Sequence, residues 1–201
     1  MPSPLVGIPQ EISMATATVA TLGPVGTDAH AEADRLFGEV LLADSFNEAM
    51  DLGLAEGVLV LVAAGFLERD EDKLVDSWVD MHFRNLDRMR LLATWESPTK
   101  PMCVASNAAR GRSLENMETI ALHPATEVFA RRFAPQAARN YFNAKPTAAQ
   151  RANDGHADGC IGSVDVVREM PNLRILSTWQ PTMVWCLYEP CGYLANSDEK
   201  A

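Results

Sequence analysis

The sequence predicts an α/β fold in which parallel strands are covered by helices. Short apolar segments alternate with helical ones at the start of the chain: candidate strands at 19–22, 40–43 and 58–62 are separated by candidate helices at 29–37 and 46–56. The third of these strands is apolar without interruption, which is typical of a strand buried on both faces. This strand–helix–strand–helix–strand order indicates a parallel sheet.

The first strand runs into a glycine-containing turn and a helix start. The turn is indicated by Gly23, Pro24 and Gly26, residue types that favour turns. Thr27 or Asp28 is a candidate N-cap for the helix. Such a helix start exposes backbone N–H groups at the positive end of the helix dipole, which suits a carboxylate or phosphate. The pattern is also that of an ordinary βα turn, because its glycine spacing matches neither a P-loop nor a dinucleotide-binding fingerprint.

Composition bounds the class of protein. The chain has 201 residues, enough for one domain or a two-lobed domain with a real core. Its net charge of −10 argues against partners such as nucleic acid and anionic membrane surfaces. We see no signal peptide, and the apolar run at 58–66 is too short to span a bilayer. The four cysteines form no CxxC pair, so we expect no disulfide and a cytoplasmic location.

The βα pattern recurs in the second half of the chain. Candidate strands at 88–95 and 101–106 lead from a first lobe into a second, and the later elements are strands at 119–122, 140–144, 160–162, 173–179 and 183–188 with helices at 125–133, 148–154 and 164–170. We predict a flexible arm over 1–17, a first α/β lobe over 18–93 plus 177–192, a second over 94–176, and a polar tail over 193–201.

Two segments of the first lobe have a less regular pattern. The charged run at 68–72 is interpreted as a solvated turn or helix end, and 74–81 as a helix or loop. Trp78 and Phe83 are assigned to the core or to the interface between the lobes.

Four segments resemble, in order, the motifs of prephenate dehydratase catalytic domains. LGPVGT at 22–27 resembles the family's LGPxGT, and LHPA at 122–125 resembles its Ser-His-Pro-x-Ala. KPTAA at 145–149 resembles Ser-Thr-x-Ala-Ala, and DGCIGS at 158–163 resembles an Ala-Ala-Ile-Ala-Ser segment. The resemblance spans about residues 19–188. It implies a two-lobed fold like a type 2 periplasmic binding protein, with mixed sheets, helices on both faces and a ligand cleft between the lobes.

The resemblance also implies which residues form the site. Thr182 aligns with the threonine regarded as catalytic in the family. His123 is a candidate proton or hydrogen-bond donor to the substrate, and it is also a candidate capping residue before a proline. The substrate-binding residues implied by the alignment, together with the helix starts, are Gly26, Thr27, Asp28, Ala64, Gly65, Pro124, Ala125, Thr147, Ala148, Met183 and Trp185.

Two departures from the dehydratase pattern point to a divergent branch. Met183 stands where the family carries an arginine that holds a substrate carboxylate, and methionine cannot make that bidentate contact. The segment 63–65, Ala-Ala-Gly, replaces a polar Glu-Asn-Ser. Met-Val-Trp at 183–185 resembles the Met-x-Trp of prephenate decarboxylases from bacilysin-type antibiotic pathways. That branch lacks the threonine, so Thr182 has no guaranteed catalytic role there.

The resemblance implies a stand-alone lyase that decarboxylates or dehydrates prephenate or a related ring carboxylic acid in a specialised-metabolite, antibiotic-type pathway. The alternatives are the same fold acting on another ring acid, for example in tropone or tropolone biosynthesis, and a non-catalytic small-molecule-binding protein. We expect no cofactor and no metal, since His123, His156 and Asp158 lack a recognised ligand spacing. We expect no ACT domain and no feedback inhibition by phenylalanine, and a homodimer remains open.

Overall fold

The computed structural model describes residues 13–70, 73–142 and 144–192. Contacts within the chain divide it into two compact units. Unit 1 comprises the described residues of 1–68, 76–97 and 182–201, and unit 2 those of 69–75 and 98–181. The chain visits unit 2 briefly between 68/69 and 75/76, and it changes unit again at 97/98 and at 181/182. The last two changes lie a few residues after the lobe boundaries predicted at 93/94 and 176/177.

The elements follow one another in a regular α/β order. The chain begins with β1 Thr18–Leu22, α1 Asp28–Leu36, β2 Glu39–Ala43, α2 Phe46–Glu56, β3 Leu59–Ala63, β4 Leu67–Asp70, β5 Lys73–Ser77, α3 Trp78–Arg84 and β6 Met89–Pro98. It continues with β7 Met102–Asn107, β8 Thr119–Leu122, α4 Glu127–Phe133, β9 Ala138–Tyr141, α5 Lys145–Asn153, β10 Gly159–Ser163, α6 Val164–Arg168, β11 Leu173–Trp179 and β12 Thr182–Pro190. Short 3₁₀ helices lie at Met14–Thr16, Ala108–Arg110 and Pro124–Thr126.

The sheet of unit 1 has five strands in the order β2-β1-β3-β12-β6. The strand β1 is parallel to β2 and β3, as predicted, whereas β12 is antiparallel to β3 with Trp185 opposite Ala63. Thr182, at the start of β12, bonds to Glu96 near the end of β6. The ends of β1, β3 and β6 and the start of β12 therefore share one edge of this sheet.

Local caps explain where the first two helices begin and end. The Thr27 hydroxyl accepts from the His30 amide at the start of α1, and the Ser45 hydroxyl accepts from the Glu48 amide at the start of α2. The helix α2 ends at Gly57, whose φ of 64° is the left-handed conformation that favours glycine. The sequence predicts Thr27 or Asp28 as the first cap, Asp44 or Ser45 as the second, and Gly57 as the end of α2. The structure has Thr27, Ser45 and Gly57 in these positions.

The sheet of unit 2 repeats this arrangement, with the order β11-β7-β10-β8-β9. The strands β8, β9 and β10 are parallel, and β7 is antiparallel to both of its neighbours. In each unit, three parallel strands lie side by side and the next strand of the sheet is antiparallel to them. This antiparallel strand is β12 in unit 1 and β7 in unit 2. The chain re-enters unit 1 through β12 and enters the main part of unit 2 through β7.

Unit 2 buries apolar side chains on both faces of its sheet. Cys103 and Ala105 of β7 pack on one face with alanines of α5, whereas Met102 and Val104 pack on the other with Ala130 of α4. Unit 1 has one large core cluster built on β1, β3 and β12. The predicted type 2 periplasmic-binding-protein-like α/β fold is therefore confirmed.

Three local predictions are wrong. The charged run at 68–72 was expected to be a turn or helix end, but β4 and β5 form a two-stranded ribbon there; residues 71 and 72 lie outside the described part. Of the residues 74–81, which were predicted as a helix or loop, 74–77 belong to β5, whereas 78–81 are helical as one of the two alternatives had it. Phe83 is 64% exposed, because it lies on the outer face of α3, whereas Trp78 does pack against the core.

Part of the predicted arm is ordered against unit 1. Met14 and Ala17 pack against its core, and the rest of the arm, residues 1–12, lies outside the described residues, as does the tail at 193–201. No helix in the described part of the chain is both long and apolar enough to cross a membrane.

Candidate functional site

Three helix starts gather at one edge of the unit 2 sheet. Because β8, β9 and β10 are parallel, their carboxyl ends lie at the same edge. The strand β8 is followed by His123 and a 3₁₀ turn, β9 by α5 beginning at Lys145, and β10 by α6 beginning after Ser163. Ligands of open α/β sheets bind at this edge, so it is the natural place for a site in unit 2.

His123 caps the turn that follows β8. Its Nδ1 accepts a hydrogen bond from the Ala125 amide over 3.1 Å. Burial and the positive charge of Lys145 lower the pKa of His123 below its ordinary value. The imidazole is therefore neutral at pH 7, with its proton on Nε2, and can donate one hydrogen bond to an anion.

We expect ¹⁵N NMR at pH 7 to show a neutral His123 with the proton on Nε2. Because the folded pKa lies below the ordinary value of about 6.5, the unfolded chain takes up a proton first as the pH falls. This histidine therefore contributes its full stability above about pH 6.5 and loses it as the pH falls toward the folded pKa. His123→Asn keeps a capping side chain and should remove this pH dependence; a protonated His123 at pH 7 would contradict the assignment.

The predicted backbone amides are largely engaged within their own segments. The Ala125 amide donates to His123, the Ala148 amide to the Ala144 carbonyl, and the Thr27 amide to the Pro24 carbonyl. An anion at these turns would therefore be met chiefly by side chains. In unit 2 the side chains that follow β8 and β9 at this edge include the imidazole of His123, the ammonium of Lys145 and the exposed hydroxyl of Thr147. The Tyr141 hydroxyl, at the end of β9, donates to the carboxylate of Glu127.

Part of the corresponding edge of unit 1 is lined by Met183, which stands where the resemblance implies an arginine in prephenate dehydratases. The Ala64 amide donates to the Val184 carbonyl over 2.8 Å, which holds the end of β3 against β12. A methyl group placed on Gly65 would lie 3.2 Å from Sδ and 3.3 Å from Cε of Met183. The methionine side chain therefore lies directly over the glycine, and the two residues form a thioether-lined surface.

The remaining segment of this edge, the turn before α1, brings Gly26, Thr27 and Asp28 to the end of β1. The Gly26 amide reaches His30 Nδ1 over 3.4 Å, and the Thr27 hydroxyl both caps α1 and donates to the Leu22 carbonyl. These contacts fix the turn, and the bond between Gly26 and the His30 side chain is not evident from the sequence alone.

Thr182 lies at the start of β12, beside Met183 in sequence. Its hydroxyl donates to the carboxylate of Glu96 on β6, and both side chains are exposed. A hydroxyl bonded to a carboxylate is held in one orientation with its oxygen lone pairs directed elsewhere. The sequence did not identify Glu96 as a partner, since the two residues are joined only by the sheet.

Trp185 is buried in unit 1. Its indole is 2% exposed, and its Nε1 donates to the Ser97 hydroxyl over 3.0 Å. The neighbouring Trp95 Nε1 donates over 2.6 Å to Glu32, a carboxylate on the buried face of α1. Burial by itself raises the pKa of Glu32, but hydrogen bonds from Arg35, Trp95 and Ser97 outweigh it and lower that pKa.

Glu32 is the residue of this network that the sequence analysis missed. It shares the inner face of α1 with Ala29 and Ala33, so an acidic residue on a buried helical stripe was the available signal.

Across residues 13–70, 73–142 and 144–192, no three histidine, cysteine or acidic side chains are grouped so that they could hold a metal ion. The prediction that both lobes line one pocket stays a prediction.

No protein-family model and no curated protein matches the sequence. Among solved structures, a prephenate dehydratase from Arthrobacter aurescens in complex with L-Phe matches with a TM-score of 0.54 and 16% identity, over 86% of this chain and 59% of that one. A prephenate dehydratase from Staphylococcus aureus matches with a TM-score of 0.50 and 10% identity, over 86% and 66%.

An ABC transporter from Parabacteroides distasonis matches equally well, with a TM-score of 0.54 and 14% identity over 92% of this chain and 71% of that one. The chain spans about three fifths to two thirds of the two prephenate dehydratases. At these identities the likeness concerns the fold: the chain has the type 2 periplasmic-binding-protein-like fold that catalytic domains of prephenate dehydratases share with transport-related proteins.

Proposed function

We propose that the protein is a lyase that removes CO₂ from prephenate or a related ring carboxylic acid, in a specialised-metabolite pathway of the antibiotic type. The observation that carries the proposal is the edge of unit 2, where His123, Lys145 and Thr147 follow parallel strands β8 and β9. A cation, a neutral imidazole N–H and a hydroxyl together suit a carboxylate. The motif resemblance and the shared fold support a ring carboxylic acid as the molecule that carries this carboxylate.

The chemistry asks little of the protein beyond orientation and one proton. When the bond between the ring and its carboxylate breaks, CO₂ leaves and the electron pair stays with the ring. If the ring hydroxyl is protonated, water leaves and the product is aromatic; if a ring carbon takes the proton, the hydroxyl stays and the product is not aromatic. The position of the proton donor therefore determines the product. A donor beside the ring carbon favours the non-aromatic product, and a donor beside the hydroxyl favours the aromatic one.

The surface of unit 1 supports the second outcome. Met183 lies over Gly65, where a dehydratase would offer a guanidinium and a polar segment. A thioether surface contacts a ring well but stabilises neither a second carboxylate nor a leaving hydroxyl. We therefore infer that decarboxylation without dehydration is the favoured reaction, with His123 as the candidate proton donor. The Thr182 hydroxyl, whose proton is directed at Glu96, would instead accept a hydrogen bond from the substrate.

The substitution Met183→Arg tests this role. If only the carboxylate contact is missing, the new guanidinium should raise phenylpyruvate formation from prephenate by about ten- to a hundredfold, because a charge-assisted hydrogen bond contributes about 1.5–3 kcal/mol. Met183→Leu, which keeps an apolar side chain of similar volume, is the matched control and should leave the product unchanged. Equal phenylpyruvate formation by both variants would contradict the role given to Met183.

A second candidate function is ligand binding without chemistry. The ABC transporter with a TM-score of 0.54 favours it, because that match is as good as the match to the dehydratase. Both a lyase and a binding protein would bind the ring acid, but only the lyase would convert it to product.

The experiment is to measure prephenate consumption by the purified protein against the spontaneous rate. Consumption well above that rate, with a raised KM in Lys145→Gln and no change in Arg151→Gln, supports the lyase; Arg151 is exposed on the same helix α5. Saturable binding of prephenate with no acceleration would instead assign the protein to the binding class.

A further inference from the structure

Unit 1 contains a cleft away from the sheet edge described above. Its volume is about 360 Å³, and its lining residues are polar: Asn47, Asp51, Arg84, Asn85 and Arg88. Asn47 and Asp51 lie four residues apart on α2, so they share one helical face. The other three residues come from the end of α3 and the turn after it.

The guanidinium of Arg84 is fixed by a buried carboxylate. Asp76, which is 6% exposed, accepts from Nη1 of Arg84 over 3.0 Å and from Nη2 over 2.6 Å. The Asn47 side chain completes this arrangement, since its amide donates to Asp76 over 2.7 Å and its carbonyl accepts from Arg84 Nη2 over 2.9 Å. The charge of Arg84 is therefore balanced, and its plane is held rigid at the wall of the cleft.

Arg88 is held by a buried amide and not by a carboxylate. Asn85, which is 5% exposed, accepts from Arg88 Nη2 over 2.8 Å and donates to the Met81 carbonyl over 2.8 Å. Within the described residues, Arg88 forms no ion pair, and neither does Asp51 across the cleft. The cleft therefore presents one uncompensated cation and one uncompensated anion.

We propose that this cleft binds the carboxylate and ammonium groups of a free amino acid. The remaining N–H groups of Arg88 match a carboxylate in bidentate geometry, and Asp51 accepts from the ammonium. Because Asn85 already holds the guanidinium, little side-chain entropy is lost when the carboxylate binds. The proposal is independent of the lyase reaction, since the cleft residues are not among those assigned to it.

The charges of the lining residues select a zwitterion over a simple anion. A phosphate or dicarboxylate at Arg88 would place a second negative charge in the same cleft as Asp51, and like charges repel. An amine without a carboxylate would leave Arg88 unmatched. The lining carries no apolar side chain, so the ligand's own side chain is not selected.

The test measures binding of glycine, L-alanine and L-phenylalanine by calorimetry, with acetate, inorganic phosphate and ethylamine as incomplete probes. The variants are Arg88→Gln and Asp51→Asn, both at exposed positions. Arg151→Gln and Asp34→Asn are matched controls, because they remove the same charges at exposed positions outside the cleft.

We expect each amino acid to bind, with affinity at least about tenfold lower in Arg88→Gln and in Asp51→Asn, and unchanged in the two controls. Binding that survives both cleft substitutions lies elsewhere and would overturn the proposal. Equal affinity for acetate or phosphate would overturn the zwitterion specificity, and no binding of any amino acid would overturn the site. Prephenate turnover should be unchanged in both cleft variants, which separates this proposal from the proposed function.

Discussion

Replacing Trp185 by alanine should destabilise unit 1 by about 3–5 kcal/mol. The indole is 2% exposed and packs within the core cluster, so the substitution leaves a large cavity. It also removes the hydrogen bond to Ser97, which itself bonds to the buried carboxylate of Glu32. Urea denaturation followed by circular dichroism measures the loss.

The controls separate packing from substrate contact. Trp185→Phe keeps most of the packing and loses the indole N–H. We therefore expect it to lower the free energy of unfolding by about 0.5–1.5 kcal/mol, the contribution of one hydrogen bond. Phe83→Ala removes an aromatic ring that is 64% exposed in the same unit and should change stability by no more than about 0.5 kcal/mol. A Trp185→Ala protein of unchanged stability but lost turnover would contradict the structural role.

Replacing Asp158 by alanine should have a comparable effect on unit 2. This carboxylate is 1% exposed and accepts from the amides of Glu118 and Thr119 over 2.9 and 3.1 Å and from Arg110 over 2.9 Å. The substitution leaves two amides and Nη1 of Arg110 without their acceptor, which costs roughly 3 kcal/mol or more. Arg110→Gln should cost no more than about 1 kcal/mol, because its side chain is 46% exposed.

Asp158 also makes the stability of unit 2 depend on pH. Burial by itself raises its pKa, but the Glu118 amide, Arg110 and the Thr119 amide outweigh this and lower the pKa below its ordinary value. The contribution is therefore complete above the unfolded value of about 3.9 and is lost as the pH falls through the folded pKa. Asp158→Asn should flatten the stability profile in this acid range; an unchanged profile would contradict the assignment.

The sequence was most informative where structure depends on neighbours in the chain. The alternation of apolar strands with helices predicted β1 to β3, and Thr27, Ser45 and Gly57 predicted the helix ends, because caps act within four residues. The ribbon of β4 and β5 was missed because its sequence is rich in charged residues and lacks the alternation of apolar and polar residues that indicates a strand. It is a sheet only because the two strands pair with each other.

The candidate site was less predictable because its contacts join distant segments. Met183 and Gly65 come together only through the antiparallel pairing of β12 with β3. Glu32 and Trp95 are 63 residues apart in the chain. The amides predicted to bind an anion turned out to be engaged by local side chains and carbonyls, and spacing alone does not reveal that choice.

The mass of the product formed from prephenate distinguishes decarboxylation without dehydration from dehydration and from binding without turnover. Wild-type protein is incubated with prephenate, and the products are separated and weighed by mass spectrometry, with a protein-free sample as the reference for spontaneous reaction. Decarboxylation without dehydration predicts a product that has lost CO₂ and is heavier than phenylpyruvate by one water. Phenylpyruvate as the main enzymatic product, or no product beyond the protein-free sample, would contradict it.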